Sequence, residues 1–317
     1  MARPTQGSAP FQEGLVEDMK SLGPIDGQTC LVTGGTKGIG WNSALQLASQ
    51  GGQVVITCRD PARGEQAIHD IQEKIETNGT HHGSVSMIQA DFRSLNSVRK
   101  LAQQFKQRYG RLNVLVNNAG VLRTRRHITL DGYEETFQVN HLAHFLLTNL
   151  LLDLLKTSAP SRIVNISSDA HNGARIHFDD LMGEKNYGGL RAYGQSKLAN
   201  VLFTYELARR LKGTGVTAEA LHPGAVSSHL GEGEPGLFPK VFGALKLFFA
   251  SSSHAAQSVT YLSTCPELEG VSGKYYVKTH ETRSSKCSYD EATAHRLWQV
   301  SEELTGLKQT PFQGILA

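Results

Sequence analysis

The chain has 317 residues, of which 39% are hydrophobic and 19% are charged, as in an ordinary globular domain with a sizeable core. A net charge of +3 and scattered basic residues give no indication of nucleic-acid binding. Four widely separated cysteines lack disulfide or zinc spacing, which argues against a metal site and favours a reducing, cytoplasmic location.

The chain begins with a polar segment rich in proline and glycine. Residues 1–24 contain no apolar run long enough for a signal peptide or a membrane span, so we expect a flexible arm and no transmembrane anchor. One domain is predicted over residues 25–310, because no repeat or low-complexity linker divides that stretch, and a short tail over 311–317.

Short apolar runs alternate with helix-like stretches along this domain. The predicted strands are Cys30–Thr33, Val54–Cys58, Val85–Gln89, Val114–Val116, Ile163–Ile166, Thr217–Leu221 and Lys274–Val277. The predicted helices cover residues 39–50, 61–77, 94–108, 131–157, 193–212 and 251–263. This alternation predicts the α/β class, with a single doubly wound Rossmann-type domain whose parallel sheet is flanked by helices.

A glycine-rich turn directly follows the first predicted strand. Residues 33–40 read Thr-Gly-Gly-Thr-Lys-Gly-Ile-Gly. Glycine there permits positive φ and lets the backbone approach a pyrophosphate, which also meets the unpaired N–H groups of the following helix. The turn therefore predicts a dinucleotide site, and the alternative is a glycine-rich turn without a ligand.

The end of the second predicted strand bears on which dinucleotide binds. NAD selectivity uses a carboxylate there to bond the ribose 2′-hydroxyl, whereas this chain has Cys58 followed by Arg59. Lys37 lies in the glycine-rich turn on the same side, so two cations can hold a 2′-phosphate. Asp60 is the counter-signal, which we assign to the N-cap of the next helix, before Pro61. The sequence therefore predicts NADP(H).

Tyr193 and Lys197 share one face of a predicted helix, because they lie four residues apart. An ammonium beside a phenol stabilises the phenolate, so this spacing predicts a tyrosine pKa below its usual value of about 10. Such a tyrosine can exchange a proton with an alcohol or carbonyl oxygen. The alternative is an ordinary pair on a surface helix.

Two serines, Ser167 and Ser168, follow the predicted strand Ile163–Ile166. Parallel sheets place ligand-contacting groups at this end of their strands. A serine there can donate a hydrogen bond to a developing oxyanion, or it can cap the next turn.

Taken together, these motifs resemble those of the short-chain dehydrogenases/reductases in order and spacing over about residues 27–307. The motifs are Thr33–Gly40, Asn117–Gly120, Asn140, Ile166–Ser168, Tyr193–Lys197 and Pro223–Gly224. More narrowly, the chain resembles the branch of retinol dehydrogenases and related carbonyl reductases. The segments that carry this resemblance are Ser167–His171, Phe178–Leu181, Ser196–Asn200 and Leu297–Leu304.

The resemblance implies an NADP(H)-dependent oxidoreductase. It would transfer a hydride between nicotinamide and a small lipophilic carbonyl or alcohol, retinal-like or another aldehyde or ketone. The alternative is an NADP(H)-binding regulatory or scaffold protein with little turnover.

By the same resemblance, four residues are catalytic. Tyr193 is the acid/base, Lys197 lowers its pKa and binds the nicotinamide ribose, and Ser168 holds the substrate oxygen. Asn140 holds a water for proton relay. Asn140 can also be read as a polar residue at a helix kink, and both readings can hold.

The resemblance also implies the cofactor contacts. Those to the pyrophosphate are Gly34, Thr36, Lys37, Gly38, Ile39 and Gly40. Asp91, with Phe92 beside it, bonds the adenine amine, unless Asp91 caps the next helix, for which Ser94 is equally suited. The residues lining the adenosine ribose are Asn118, Ala119 and Gly120, and those flanking the nicotinamide are Pro223, Gly224, Val226 and Ser228.

Two features depart from the family pattern. Trp41 is bulky and directly follows Gly40, where the helix must approach the sheet. The arm over residues 1–24 lacks the N-terminal membrane anchor that many retinol-type members carry, which weakens an assignment to retinoid membranes.

Residues 226–250 occupy the place of the family's substrate loop. Apolar side chains recur there on one helical face, at Phe238, Val241, Phe242, Leu245, Phe248 and Phe249. Three interpretations stay open, namely a helix packed on the core, a lid over an apolar substrate, and peripheral membrane contact through residues 237–249.

Two of the predicted helices, 131–157 and 193–212, are apolar on more than one side. A helix apolar all round is buried on all sides. Because the matching helices of the family often pair across a two-fold axis, we predict a homodimer, and the alternative is burial under the protein's own loops.

Overall fold

The computed structural model describes residues 23, 25–77, 83–224 and 251–307. Within these ranges eight strands form one sheet. They are β1 Thr29–Val32, β2 Gln53–Cys58, β3 Ser84–Gln89, β4 Val114–Asn117, β5 Ser161–Ile166, β6 Val216–His222, β7 Lys274–Val277 and β8 His280–Glu281. Their order is β3-β2-β1-β4-β5-β6-β7-β8. The first seven pair in parallel, and β8 is antiparallel to β7.

Helices cover both faces of this sheet. They are α1 Gly38–Ser49, α2 Pro61–Thr77, α3 Leu95–Arg108, α4 Ala143–Thr157, α5 Gly189–Arg210, α6 Ser252–Thr264 and α7 Glu291–Thr305. One apolar core joins the sheet to α3, α4, α5 and α7, and a second joins its other face to α1, α2 and α6. The predicted doubly wound α/β fold is therefore confirmed.

The helix predicted over residues 131–157 starts later and is not α-helical throughout. It begins with a helical turn at Glu135–Phe137, passes through a π turn at Gln138–Leu142 and continues as α4. The start at residue 131 was wrong, because Gly132 lies in a turn at φ 85° and Glu134 caps the helix by accepting from two N–H groups.

Sequence reasoning missed β8 and α7. The helix α7 packs on α4 and α5, where the rings of Phe145, Phe203 and Trp298 meet at centroid distances of 4.9 to 5.7 Å. Much of the all-round apolar surface of α4 and α5 is thus buried within one chain, by a helix rather than by loops. The homodimer stays a prediction.

Candidate active site

The predicted motifs meet at one edge of the sheet. Parallel strands end on the same side, and β1 and β4 are neighbours at the point where the strand order reverses. Open α/β sheets bind ligands at such a switch point. The residues that directly follow β1, β4, β5 and β6 are Thr33, Asn118, Ser167 and Pro223.

The glycine-rich turn leads from β1 into α1. A Cβ at Gly40 would lie 2.3 Å from the carbonyl oxygen of Gly34 and 2.5 Å from Asn118 Nδ2, so no side chain fits there. Gly38 has φ of +61°, and beyond its chain neighbours and the adjoining helix backbone no atom of the described residues lies within 4 Å of where its Cβ would be. The turn therefore forms an open cradle at a helix N-terminus, which fits the pyrophosphate of a dinucleotide.

The residues after β4 hold this turn in place. Asn118 Nδ2 donates to the Thr33 carbonyl at 2.7 Å. The Thr33 hydroxyl accepts from the N–H groups of Asn118 and Ala119 at 2.8 and 2.9 Å. A Cβ on Gly120 would lie 3.4 Å from Asn140 Oδ1 and 3.7 Å from Lys197 Nζ. The segment predicted to line the ribose thus lies beside both the glycine-rich turn and two predicted catalytic side chains.

The segment after β3 contradicts one reading of the sequence, in which Asp91 caps the next helix. Ser94 caps α3 by accepting from Ser97 N–H, so the reading of Asp91 as the cap is wrong. The Asp91 carboxylate instead binds the Arg93 guanidinium, with 2.7 Å between Oδ2 and Nη2. Burial raises the pKa of Asp91, but hydrogen bonds and charge from Arg93 outweigh it and hold that pKa below its usual value. The adenine contact stays a prediction.

Phe92 turns inwards rather than towards the edge. Its side chain is buried and its ring lies 5.1 Å from that of His144, centroid to centroid. If Phe92 contacts the cofactor, it therefore does so through its main chain.

At the end of β2, Arg59 and Asp60 are exposed and Cys58 is buried. Cys58 Sγ lies 3.4 Å from Met87 Sδ, so its side chain packs inwards. Asp60 Oδ1 accepts from Ala62 N–H at 3.1 Å, which confirms Asp60 as the cap of α2. Arg59 is thus exposed directly after the end of β2, the position from which we predict that it binds a 2′-phosphate.

Tyr193 and Lys197 lie side by side on α5 and are both buried, at 8% and 4% exposure. Lys197 Nζ donates to the Ile166 carbonyl at 3.1 Å and lies 5.5 Å from the centre of the tyrosine ring. Burial raises the pKa of Tyr193 to about 12, partly opposed by a hydrogen bond with Ser168. Burial lowers the pKa of Lys197 to about 8. The prediction of a lowered tyrosine pKa is wrong for the chain alone, because burial penalises both charged forms.

Of the two serines after β5, Ser168 is the one that meets Tyr193. Ser168 is half-buried, its side chain interacts with Tyr193 and lowers the pKa of that phenol, and its hydroxyl accepts from Ala170 N–H at 3.2 Å. The capping reading therefore holds beside the catalytic one. Ser167 is buried and donates to the Lys197 carbonyl at 2.9 Å, so it supports α5.

Asn140 is fully buried in the π turn. Its Oδ1 accepts from Val121 N–H at 2.8 Å, and its Nδ2 donates to Ser196 Oγ at 3.0 Å. Ser196 Oγ in turn donates to the Tyr193 carbonyl at 2.7 Å. The helix irregularity at Asn140 is confirmed, while the water for proton relay stays a prediction.

Of the four residues predicted to flank the nicotinamide, the structure describes two. Pro223 is buried and Gly224 has φ of +91°, with Lys278 Cε 3.4 Å from where its Cβ would be. Val226 and Ser228 lie outside the described residues, as do the predicted substrate loop and the segment 237–249. Trp41 does not obstruct the turn, because it packs half-buried against the second core.

Sequence reasoning missed two histidines that support this site. His144 Nδ1 lies 3.1 Å from the Asn140 carbonyl, and its Nε2 lies 3.0 Å from the Thr33 hydroxyl. His171 Nδ1 lies 2.7 Å from the Ser168 carbonyl. His171 belongs to Ser167–His171, one of the motifs that carry the family resemblance, but nothing in the sequence showed which partners either ring would have.

Nowhere in the described ranges do three His, Cys, Asp or Glu side chains lie together as metal ligands. None of the described helices is long and apolar enough to cross a bilayer.

Comparison with known sequences gives a consistent family assignment. Residues 28–234 match the family model described as short chain dehydrogenase. Retinol dehydrogenase 13 of Mus musculus is 46% identical over 294 residues, covering 90% of this chain and 86% of that protein. Retinol dehydrogenase 14 of Homo sapiens is 43% identical over 296 residues, covering 90% of this chain and 88% of that protein.

Solved structures agree with the sequence matches. A putative uncharacterized protein from Mycobacterium Paratuberculosis superposes with a TM-score of 0.72 at 31% identity. The match covers 90% of this chain and 96% of that one, so the similarity extends over nearly the whole fold.

Proposed function

This chain belongs to the short-chain dehydrogenase/reductase family, and we propose that it is an NADP(H)-dependent carbonyl reductase or alcohol dehydrogenase with Tyr193 as acid/base. Family membership makes it an oxidoreductase that transfers a hydride and uses a nicotinamide cofactor. What carries the proposal is the meeting of Ser168, Tyr193 and Lys197 beside the open glycine cradle.

The chain's own residues handle the proton. The bound nicotinamide supplies or accepts the hydride. With a pKa raised to about 12, Tyr193 is protonated at neutral pH, which is the form that donates a proton to a carbonyl oxygen. Ser168 is half-buried beside it and can hydrogen-bond the same oxygen. Lys197 carries a nearby positive charge that stabilises the tyrosinate left behind.

A lipophilic substrate is part of the proposal. The matched relatives are named retinol dehydrogenases, which supports an apolar alcohol, aldehyde or ketone. The test is NADPH oxidation, followed by absorbance, with retinal and with aldehydes and ketones of increasing chain length. NADPH binding without turnover on any of them would favour the alternative, a regulatory or scaffold protein.

Arg59→Ala is expected to weaken NADPH binding by roughly 10- to 100-fold, because a charge-assisted contact contributes about 1.5–3 kcal/mol. Arg59 is exposed at the end of β2, and Lys37, at the N-cap of α1, is the second cation proposed for the 2′-phosphate. NADH affinity should be nearly unchanged, since NADH offers the guanidinium no phosphate there. Fluorescence titration of both cofactors measures the difference.

The matched control for Arg59 is Arg63→Ala. Arg63 is also exposed and its guanidinium pairs with Asp60 at 3.5 Å, so the variant removes the same charge one helical turn away. NADPH affinity should be retained. Equal wild-type affinities for NADPH and NADH, or a loss on Arg59→Ala shared by both, would mean that another group sets the choice.

We also propose that the protein is a homodimer. The leucines of α4 that remain half-buried are Leu150, Leu152 and Leu154. Apolar side chains left on a helix in this way suit a pairing surface. Light scattering at micromolar protein should give twice the chain mass, and a monomer mass would contradict the dimer.

A cytoplasmic location and peripheral membrane contact through residues 237–249 stay predictions. The second falls on residues that the structure does not describe.

A further inference from the structure

His171 ends the short helical turn, Asp169–His171, that directly follows Ser168. Its side chain is fully buried, with 0% exposure. Nδ1 lies 2.7 Å from the Ser168 carbonyl, and Nε2 lies 3.0 Å from the main-chain nitrogen of Ser285. One imidazole therefore joins the turn that carries Ser168 to a segment 114 residues further along the chain.

These two contacts fix the protonation state of the ring. The Ser285 N–H can only donate, so Nε2 must be unprotonated and accept. The Ser168 carbonyl can only accept, so Nδ1 must carry the hydrogen. His171 is therefore neutral and in one tautomer. Burial lowers its pKa from the usual 6.5, against the opposing effects of the Ser168 hydrogen bond and of Asp169.

Residues 284–289, the anchoring segment, also contact the helix that carries Tyr193. Ser284 Oγ lies 2.7 Å from the hydroxyl of Tyr205, one of the buried residues of α5. Tyr289 accepts from Ser284 N–H at 3.2 Å through its hydroxyl, and its ring stacks on that of Tyr205 at 5.4 Å. The anchoring segment thus connects α5 with the turn behind Ser168. It lies beyond residues 28–234, the range of the family match.

We infer that His171 is a positioning residue for the reaction, which in its neutral form holds the Ser168 turn against the anchoring segment and so keeps Ser168 beside Tyr193. The inference rests on the proposed function, since it concerns the same serine and tyrosine. Two short hydrogen bonds through a single buried ring leave the turn little freedom. If either bond is lost, the Ser168 hydroxyl can shift relative to the phenol.

Protonation of His171 would break this tie, because Nε2 would then present a hydrogen to the Ser285 N–H. Among the described residues, three titratable groups face the ring: Asp169 on its own turn, Tyr275 on β7 with its ring 4.9 Å away, and His222 at the end of β6. Burial raises the pKa of Tyr275 and lowers that of His222, which keeps both neutral near pH 7.

The sign of the pH dependence follows from these shifts. The pKa of His171 in the folded chain lies below 6.5, the value of the free side chain. The tie is therefore complete above pH 6.5 and is lost as the pH falls through the lowered pKa. The turnover number kcat should fall over the same range, while cofactor affinity should not follow it.

Two conservative variants each keep one of the bonds. His171→Gln places an amide oxygen near the position of Nε2, so it keeps the acceptor for Ser285 N–H but loses the donor to Ser168. His171→Asn places an amide N–H near the position of Nδ1, so it keeps the donor and loses the acceptor. Each should lower kcat at pH 7 roughly tenfold, as the loss of one hydrogen bond does. NADPH affinity should stay within about twofold of wild type.

The measurement is kcat against pH for wild type and both variants, with thermal unfolding as a check on folding. Wild type should lose activity below pH 6.5, and neither variant should show that decline, because an amide does not titrate. The matched control, His222→Gln, should keep it. The proposal is overturned if wild type shows no such decline, if the decline persists in both variants, or if kcat is unchanged in them. The dependence of the wild-type kcat on pH tests the proposal even if a variant fails to fold.

Tyr193→Phe in the same assay distinguishes failure of the proposed function from failure of the positioning role of His171. If Tyr193→Phe retains turnover, the proposed function itself fails. If it is inactive while the pH profile ignores His171, only the positioning role fails.

Discussion

Tyr193→Phe is expected to lower turnover by roughly 10³-fold or more, since a positioned general acid contributes about 10²–10⁴-fold. The substitution removes one hydroxyl and keeps the ring of a buried residue on α5, which is 8% exposed. The hydroxyl is also the partner of Ser168, so its loss removes part of that serine's orientation. NADPH binding should remain nearly intact. Initial rates with any accepted carbonyl, beside NADPH titration by fluorescence, measure both.

The control for this substitution is another tyrosine with a hydrogen-bonded hydroxyl. Tyr109 follows α3, and its hydroxyl lies 2.8 Å from Ser86 Oγ on β3. Tyr109→Phe loses a comparable bond without touching Ser168, Tyr193 or Lys197, so turnover should be retained. Near wild-type turnover by Tyr193→Phe, on any accepted substrate, would contradict the assignment of the acid/base.

The fold was predictable where one feature of the sequence determines the structure. Continuous apolar runs such as Val54–Cys58 become strands because both faces of a parallel sheet are covered. The strand β8 has two residues, too few for any hydrophobic period. The start of the helix at Glu135 was missed because its cause, capping by Glu134 after a glycine turn, lies outside the apolar pattern.

The site was predictable to a similar degree and for a related reason. Its motifs directly follow strands, and a parallel sheet brings strand ends together whatever the sequence between them. Spacing along one helix placed Tyr193 beside Lys197, but it predicted the wrong direction for the tyrosine pKa. Burial decides that direction, and burial depends on the packing of the whole domain.

The contacts of the two supporting histidines, His144 and His171, could not be predicted from the sequence. His144 meets Thr33 across 111 positions, and His171 meets Ser285 across 114. Such partners are set by how distant elements pack, and a histidine on an apolar helix reads equally well as a core residue. The tautomer of each ring follows only once both partners are known.

Gly40→Ala is expected to weaken NADPH binding by roughly 10- to 100-fold, because overpacking of this kind costs about 1–3 kcal/mol. Two effects of the added methyl oppose each other. Alanine favours a helix over glycine by about 1 kcal/mol, which alone would stabilise α1. The new Cβ, however, would lie 2.3 Å from the Gly34 carbonyl oxygen and 2.5 Å from Asn118 Nδ2.

The steric effect should win at Gly40, because a main-chain oxygen cannot move aside without opening the turn. Asn118 Nδ2 would also be pushed from the Thr33 carbonyl, which it now meets at 2.7 Å, so both sides of the cradle would shift. The control is Gly110→Ala, where no atom in the described ranges other than its chain neighbours lies within 4 Å of the new Cβ, and NADPH affinity should be unchanged. Fluorescence titration of NADPH against both variants, each checked for folding by circular dichroism, measures the effect. Wild-type affinity in folded Gly40→Ala would mean that the cofactor does not lie against this turn.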